Sequence, residues 1–280
     1  MNLFCNIKRL FVQVLSRIVM GKDRLMWTFS LPFTPKPAML GKVTFNEGLS
    51  VIIAPHADDE LLGCFAYIKK HPNTVILYCG LLGSNYGEKN AAIREKEFIS
   101  FCEGKGINYK LLHDNLKEEI KSSIECLRPS SILIPSFVDW HKEHRLMSIV
   151  LLDVVDSLHD STIIWYRVSV PIMLYNYSVE ESRRGFINKW KCFLHHYSSQ
   201  KSINYKRFQF IEKHCVSNVY AAELFYIQTK NDFVNNMELL LPQVHILDSL
   251  KHVLNNYKAL SRNTCRIYNI LLESQSFSNS

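Results

Sequence analysis

Residues 51–60 read Val-Ile-Ile-Ala-Pro-His-Ala-Asp-Asp-Glu, an apolar run that ends in a cluster of polar side chains. The β-branched residues at its start predict a strand buried on both faces, which is typical of a parallel sheet. In open α/β sheets the ligand crevice lies outside the carboxyl ends of such strands. His56, Asp58 and Asp59 are therefore expected at the edge of the sheet where a binding site forms.

A second apolar run, at residues 132–138, leads into Asp139-Trp140-His141-Lys142-Glu143-His144. If both runs are strands of one parallel sheet, their polar residues emerge at the same edge. Two imidazoles and a carboxylate could then bind one divalent ion and leave a coordination position open. Catalytic zinc sites use this set of ligands. On its own, the Asp58-Asp59 pair would more simply be a helix cap, because Asp is a good N-cap residue.

The two motifs, in this order and spacing, resemble the signatures of the LmbE-like (PIG-L) N-acetylglucosaminyl deacetylase family, which approximate His-Pro-Asp-Asp-Glu and His-Pro-Asp-His. Ala57 stands in place of the first proline, and Lys142-Glu143 stand in place of Pro-Asp. The resemblance extends over roughly residues 48–230. It includes four shorter matches, at Arg94-Glu95-Lys96-Glu97, Asp114-Asn115, Tyr197-Ser198-Ser199-Gln200 and Ala222-Glu223-Leu224-Phe225.

This resemblance implies a zinc-dependent N-deacetylase that removes the acetyl group of an N-acetylated amino sugar. The expected substrate is an N-acetylglucosamine-type glycoconjugate, either lipid-linked or nucleotide-linked. The implied metal ligands are His56, Asp59 and His144, and the metal is Zn²⁺, although Fe²⁺ can occupy similar sites. Asp58 would then be the general base and acid of the hydrolysis.

The remaining predicted residues either contact the substrate or orient a side chain that does. His141 is expected to donate a hydrogen bond to the oxyanion of the tetrahedral intermediate, with Asp139 or Glu143 holding its imidazole. The resemblance places Arg94 and Asp114 in contact with the substrate.

Two alternative functions remain open at the level of the sequence. One is an amidase of the same fold that acts on a small non-sugar amide or an antibiotic-like glycoside. The other is a non-catalytic metal-binding scaffold. Asp58 argues against the scaffold, because a pure metal site does not require the second carboxylate.

Alternation of strand and helix patterns predicts a Rossmann-like three-layer α/β/α sandwich with a mostly parallel sheet. We divide the chain into an N-terminal helical segment with a proline-rich connector (1–47), a deacetylase domain (48–230) and a C-terminal helical extension (231–280), which Pro242 is expected to interrupt. Within the domain, a strand is predicted over 163–170, helices are predicted over 180–197 and 208–220, and a strand or helix is predicted over 143–158. The loop at 80–87 contains glycines but matches no dinucleotide-binding motif, so a substrate-side loop is expected there.

Net charge, cysteine content and the N-terminal segment indicate which binding partners and which cellular compartment to expect. The net charge of +7 is spread along the chain, so a nucleic-acid-binding stripe is not indicated. The eight cysteines form no Cys-x-x-Cys pair and predict reduced core residues and a cytoplasmic protein. Residues 1–30 are too interrupted by charge to cross a bilayer. We expect them to form a helix packed on the domain, with a peripheral membrane contact or a targeting segment as alternatives. The oligomeric state is not predicted.

Overall fold

The computed structural model describes residues 21–41, 43, 48–82, 88–200 and 205–278. The expectations for residues 1–20 and for most of the glycine-bearing loop, residues 83–87, lie outside this range. The strands are β1 (Ala38–Met39), β2 (Ser50–Ala54), β3 (Thr74–Tyr78), β4 (Asn108–Leu111), β5 (Ser131–Pro135), β6 (Thr162–Tyr166), β7 (Leu174–Tyr175), β8 (Tyr177–Glu181) and β9 (Ala221–Gln228).

Helix α1 covers residues 21–30 and ends before a 3₁₀ turn at Leu31–Phe33, where Pro32 begins the connector. The other α-helices are α2 (Asp59–Lys70), α3 (Glu88–Lys105), α4 (Leu116–Leu127), α5 (Lys142–Asp153), α6 (Arg183–His196), α7 (Tyr205–His214), α8 (Lys230–Leu240), α9 (Val244–Ser249) and α10 (Tyr257–Ser278). None of the helices in the described ranges is both long and apolar enough to cross a membrane.

The main sheet has seven strands in the order β4-β3-β2-β5-β6-β9-β8. The first five are parallel, whereas β9 runs antiparallel to both of its neighbours. The predicted mostly parallel sheet is confirmed. From β2 the chain passes to β3 on one side and later returns as β5 on the other. This switch of direction opens a crevice between the carboxyl ends of β2 and β5.

The two faces of the sheet contribute to two apolar clusters. In β2, Val51 and Ile53 belong to one cluster, and Ile52 and Ala54 to the other, and all four are fully buried. Helices α4, α5, α8, α9 and α10 cover the first cluster, while α2, α3, α6 and α7 cover the second. This is the predicted three-layer sandwich. Apolar residues of α8, α9 and α10, all beyond residue 230, lie in the first cluster.

Four predicted boundaries are wrong. The helix expected from residue 180 begins at Arg183, because β8 occupies Tyr177–Glu181. The helix expected over 208–220 spans Tyr205–His214, because the chain turns before β9 begins at Ala221. The element expected over 143–158 is a helix that ends at Asp153 and is followed by a 3₁₀ turn, and the strand expected over 163–170 ends at Tyr166. Strand β9 was noted only as a motif, although all eight of its residues are buried. The break at Pro242 is confirmed, since a 3₁₀ turn separates α8 from α9.

Five of the seven described cysteines are buried and none forms a disulfide. The prediction of reduced core residues is confirmed for Cys64, Cys79, Cys102, Cys192 and Cys215. Cys126 is exposed, so the prediction is wrong at that position.

Gly63 allows helix α2 to approach the sheet closely. A Cβ atom at this position would lie 2.3 Å from Cδ2 of Tyr166 and 2.7 Å from the backbone oxygen of Arg167. Tyr166 cannot easily move away, because it is buried and its hydroxyl donates a 2.9 Å hydrogen bond to the Ile53 oxygen. The close approach fixes the height of α2, and therefore of Asp59 at its start, above β2.

We expect Gly63→Ala to destabilise the protein by about 3 kcal/mol, the upper part of the usual range for overpacking, because backbone and a fixed ring must both shift. Thermal unfolding would show this as a lower Tm. Gly21→Ala is the matched control, since nothing lies within 4 Å of its added Cβ. Equal Tm values for the two variants would contradict the close packing of α2 on β6.

Candidate functional site

Five predicted residues meet at the crevice between β2 and β5. His56 and Asp58 lie in the turn after β2, and Asp59 is the first residue of α2. His141 is the N-cap residue of α5, and His144 lies in its first turn. Asp58 has a φ of 109°, which lets a sharp turn place the neighbouring carboxylates of Asp58 and Asp59 in different directions.

The three predicted metal ligands form a tight triangle. His56 Nδ1 lies 3.0 Å from Asp59 Oδ2 and 3.2 Å from His144 Nε2, and His144 Nε2 lies 3.4 Å from Asp59 Oδ1. Ligand atoms bound at about 2.0–2.1 Å to a tetrahedral zinc ion are about 3.3 Å apart. Asp59 approaches the two imidazoles with different oxygens of its carboxylate, and each of the three separations is close to this spacing. The nitrogen and oxygen donors that zinc accepts therefore lie close enough together to bind one small divalent ion.

His141 completes a cluster of three imidazoles. Ligand atoms of His56, His141 and His144 all lie within 4.8 Å of one another, so an all-histidine set is a second way to hold the ion. The ring centroids of His141 and His144 are 4.7 Å apart, and the two rings are stacked. The set that contains Asp59 has separations of 3.0–3.4 Å, measured to the two oxygens of its carboxylate.

The electrostatics of the triangle favour a cation. Burial lowers the pKa of His144, but the carboxylates of Asp59 and Asp139 outweigh burial and raise it to about 10. Burial opposes ionisation of Asp59, yet the two neighbouring imidazoles hold its pKa well below the usual value. The protein thus stabilises positive charge at this point. A divalent ion would take the place of the protons, because metal ligands must be deprotonated.

The outer partners differ from those expected. Asp139 and Glu143 were expected to hold the His141 ring. The structure places Asp139 Oδ2 3.1 Å from His144 Nδ1 and Glu143 Oε2 2.5 Å from His56 Nε2. Glu143 Oε2 is 3.9 Å from His141 Nδ1. Asp139 accepts hydrogen bonds from the backbone amides of His141, at 2.8 Å, and Ser169, at 3.1 Å. Both carboxylates therefore contact proposed metal ligands, which they can orient.

One ring nitrogen of His141 is left without a hydrogen-bond partner among the described residues. This atom, Nδ1, is shut off from bulk solvent. Burial, together with the nearby His144 and His56, lowers the pKa of His141 to about 4, so its ring is neutral near pH 7. A neutral imidazole has one N–H that can donate to a substrate oxygen.

Asp58 lies beside the triangle without belonging to it. Burial raises the pKa of Asp58 to about 7, against the opposing charge of Arg94. Arg94 Nη2 donates to Asp58 Oδ1 at 3.2 Å and also to the Ala57 oxygen. Arg94 was expected to contact substrate; in the structure it is buried and fixes the turn that contains Asp58.

Two further buried carboxylates, Glu60 and Glu97, contribute to the support of this turn. Glu60 is fully buried, accepts hydrogen bonds from the Asp58 amide and the Tyr197 hydroxyl, and has its pKa raised by burial to about 8. Glu97, one helical turn after Arg94, accepts hydrogen bonds from Ser198 and Ser199 at 2.6–2.8 Å. The Arg-x-x-Glu motif on α3 and the Tyr-x-Ser-Gln motif after α6 thus stabilise the turn that contains Asp58.

Asp114 is not brought into the cluster. It is exposed, follows the edge strand β4, and its backbone amide donates to Glu119 at 2.9 Å.

Arg207 on α7 is a buried cation that the sequence did not predict as part of the site. Asp139 acts on it electrostatically, and its Nε is buried without a hydrogen-bond partner in the part of the chain that is described. A lone arginine on a helix carries no recognisable sequence signal.

No protein-family model and no curated protein matches the sequence. The fold is similar to that of a conserved protein of Thermus thermophilus, at 20% identity over 63% of this chain and 93% of that one, with a TM-score of 0.50. It is also similar to the zinc-inhibited form of teicoplanin deacetylase (12% identity, 64% and 98% covered, TM-score 0.51). A third similar structure is the deacetylase of an antimicrobial pseudoaglycone (13%, 65% and 98%, TM-score 0.50). The chain shares the fold of these three proteins.

Proposed function

We propose that the protein is a metal-dependent hydrolase that removes the acetyl group of an N-acetylated amino sugar, of the N-acetylglucosamine type. The observation that carries this proposal is the triangle of His56, Asp59 and His144 donor atoms with the separate, buried Asp58 carboxylate beside it. The solved deacetylases of the same fold support the reaction class. The sugar and its lipid or nucleotide carrier are inferred from the family resemblance.

His56, Asp59 and His144 would hold the ion, and Zn²⁺ fits this donor set. When bound, zinc supplies a Lewis acid that polarises the substrate carbonyl and acidifies water. Side chains of the protein carry out the proton transfers. Asp58, with a pKa near neutrality, accepts the proton of the attacking water and returns it to the amide nitrogen, so that the amine can leave.

His141 is proposed to stabilise the oxyanion. Its ring lies beside the His56 and His144 rings, with centroids 4.6 and 4.7 Å away, and its neutral form can donate a hydrogen bond. A single donor of this kind is worth about 3 kcal/mol in another hydrolase. Arg94 donates a hydrogen bond to Asp58 and thereby positions the proposed base. Contacts of Arg94 and Asp114 with sugar hydroxyls remain predictions.

Removal of the metal provides the direct test of this function. Acetate release is to be measured on a panel of N-acetylated amino sugars, free and linked to lipid or nucleotide, with simple N-acetyl amides as controls. We expect dialysis against a chelator to abolish release, and stoichiometric zinc to restore it, because the carbonyl is no longer polarised without the ion. Release that persists in the chelated protein would contradict the proposal. Preference for the simple amides would contradict the sugar assignment.

A further inference from the structure

A cavity of about 620 Å³ lies between α2, α3 and α6. This volume falls within the usual range for small-molecule sites, roughly 300–1,000 Å³. Its α2 residues are Phe65, Ile68 and Lys69, and its α3 side ends at Ile107. Ile68 follows Asp59 by nine residues, which corresponds to roughly 14 Å along a helix. The cavity is therefore separate from the proposed catalytic crevice, at the opposite end of the same helical layer.

The floor of the cavity is apolar. Its side chains come from three helices and the segment that follows α3: Phe65, Ile68, Phe101, Ile107 and Cys192. Phe101 and Cys192 are buried in the core, whereas Phe65, Ile68 and Ile107 are only half-buried and pack at its margin. This surface would be removed from water by a hydrocarbon group of a ligand, which is favourable by about 25 cal/mol per Å².

The rim of the cavity is basic. It carries three exposed lysines and two histidines, namely Lys69, Lys105, Lys191, His195 and His196. None of the residues described around this cavity is acidic. Glu181 also acts on Lys69, but it is buried outside the cavity and its pKa is raised by burial to about 7. The charge at the mouth is therefore complementary to an anion.

The basic surface continues along the outer face of α6. Asn188 and Lys191 line both this cavity and an adjoining hollow, whose other residues are Arg183, Arg184 and Ile187. Ile187 is 39% exposed between these cations. Apolar side chains beside Lys and Arg are the features that bind amphiphiles with anionic head groups.

We propose that this cavity binds an alkyl phosphate, with the hydrocarbon chain on the apolar floor and the phosphate at the lysine rim. The phosphate would contact Lys105 and Lys191 from opposite walls, and the chain would lie against Phe65, Ile68 and Phe101. The ligand is either a free alkyl phosphate or the corresponding part of an acidic phospholipid. The proposal does not depend on the hydrolase activity, because no proposed catalytic residue lines the cavity.

The test uses dodecyl phosphate below its micelle concentration, with binding measured by titration calorimetry on the full chain. We expect Lys105→Gln/Lys191→Gln to weaken binding at least tenfold. The control is Lys22→Gln/Lys251→Gln, which removes the same charge from exposed positions outside the cavity. Asn188→Trp, an exposed position at the mouth, is expected to block binding while leaving the Tm unchanged.

Three further arms separate the sources of the ligand. Neutral dodecyl maltoside and inorganic phosphate should each bind at least tenfold more weakly than dodecyl phosphate, since each offers only half of the interaction. If Asn188→Trp also abolishes sedimentation with phosphatidylglycerol vesicles, the lipid enters the cavity. Equal loss of binding in the rim and control variants, full binding in Asn188→Trp, or binding to anionic vesicles without any binding of dodecyl phosphate would overturn the proposal.

Discussion

Replacing Asp58 with asparagine is expected to lower the rate of acetate release by at least about 100-fold, because positioned general acids and bases contribute roughly 10²- to 10⁴-fold. Asparagine keeps the size of the side chain and tolerates the left-handed backbone at this position better than most residues. It can still accept the hydrogen bond from Arg94. The substitution therefore removes the proton acceptor and little else.

The measurement for Asp58→Asn combines acetate release with metal content. Asp153→Asn is the control, since this exposed carboxylate pairs with Lys117 at the surface, far along α5 from the proposed ligands. We expect the control to retain full activity and both proteins to bind one equivalent of zinc. If Asp58→Asn lost the ion together with its activity, Asp58 would be a ligand rather than a base. If more than a tenth of the activity remained, the base would have to be another group.

The second large effect is expected at Lys189, which is fully buried on α6. Its Nζ donates to Glu212, to Glu223 Oε1 at 2.7 Å and to the Leu62 oxygen at 3.0 Å. Helix α2 is kinked at Cys64, so the Ala66 and Tyr67 amides donate to Glu223 instead of to a helical carbonyl. The buried charges thus replace the missing helical bonds and fix the first turn of α2, which contains Asp59.

Lys189→Met would leave the Glu223 carboxylate buried without its cation. Breaking a buried ion pair in this way costs about 3–5 kcal/mol. For a chain of this size each kcal/mol lowers the Tm by about 2–4 °C, so the expected decrease is on the order of 10 °C. Thermal unfolding followed by circular dichroism measures it. Lys191→Met, an exposed position on the same helix, should leave the Tm nearly unchanged.

A second substitution distinguishes lost charge balance from lost packing. In Lys189→Met/Glu223→Gln the buried anion is also removed, while the amide oxygen can still accept from Ala66 and Tyr67. We expect the double variant to recover part of the lost stability. If the double variant is no more stable than Lys189→Met, charge balance at Glu223 is not what stabilises the kinked helix α2.

The sequence predicted the fold well where a strong pattern exists. Strands β2 and β5 are buried on both faces and read as unbroken apolar runs, and the polar residues that follow them were correctly expected at one sheet edge. Strand β9 was not predicted because Glu223 interrupts its apolar pattern. Glu223 accepts hydrogen bonds from the kinked part of α2, which is more than 150 residues away in the sequence.

The partners of individual side chains were less predictable. The sequence named Asp139, Glu143 and Arg94, but their contacts depend on how the turn after β2 folds. In this turn, where Asp58 has a positive φ, His56 Nε2 contacts Glu143 and Asp58 accepts a hydrogen bond from Arg94. Spacing along the chain fixes which residues reach an edge of the sheet. It does not fix which atoms face one another there.

The central claim is that His56, Asp59 and His144 bind one divalent ion, with His141 outside the ligand set. Equilibrium dialysis of metal-free protein against zinc, followed by elemental analysis of the protein, tests it most directly. We predict one equivalent in the wild type and in His141→Ala, and a loss of at least about tenfold in affinity in Asp59→Ala and His144→Ala. Zinc retained by Asp59→Ala but lost from His141→Ala would contradict the claim and assign the ion to the three imidazoles.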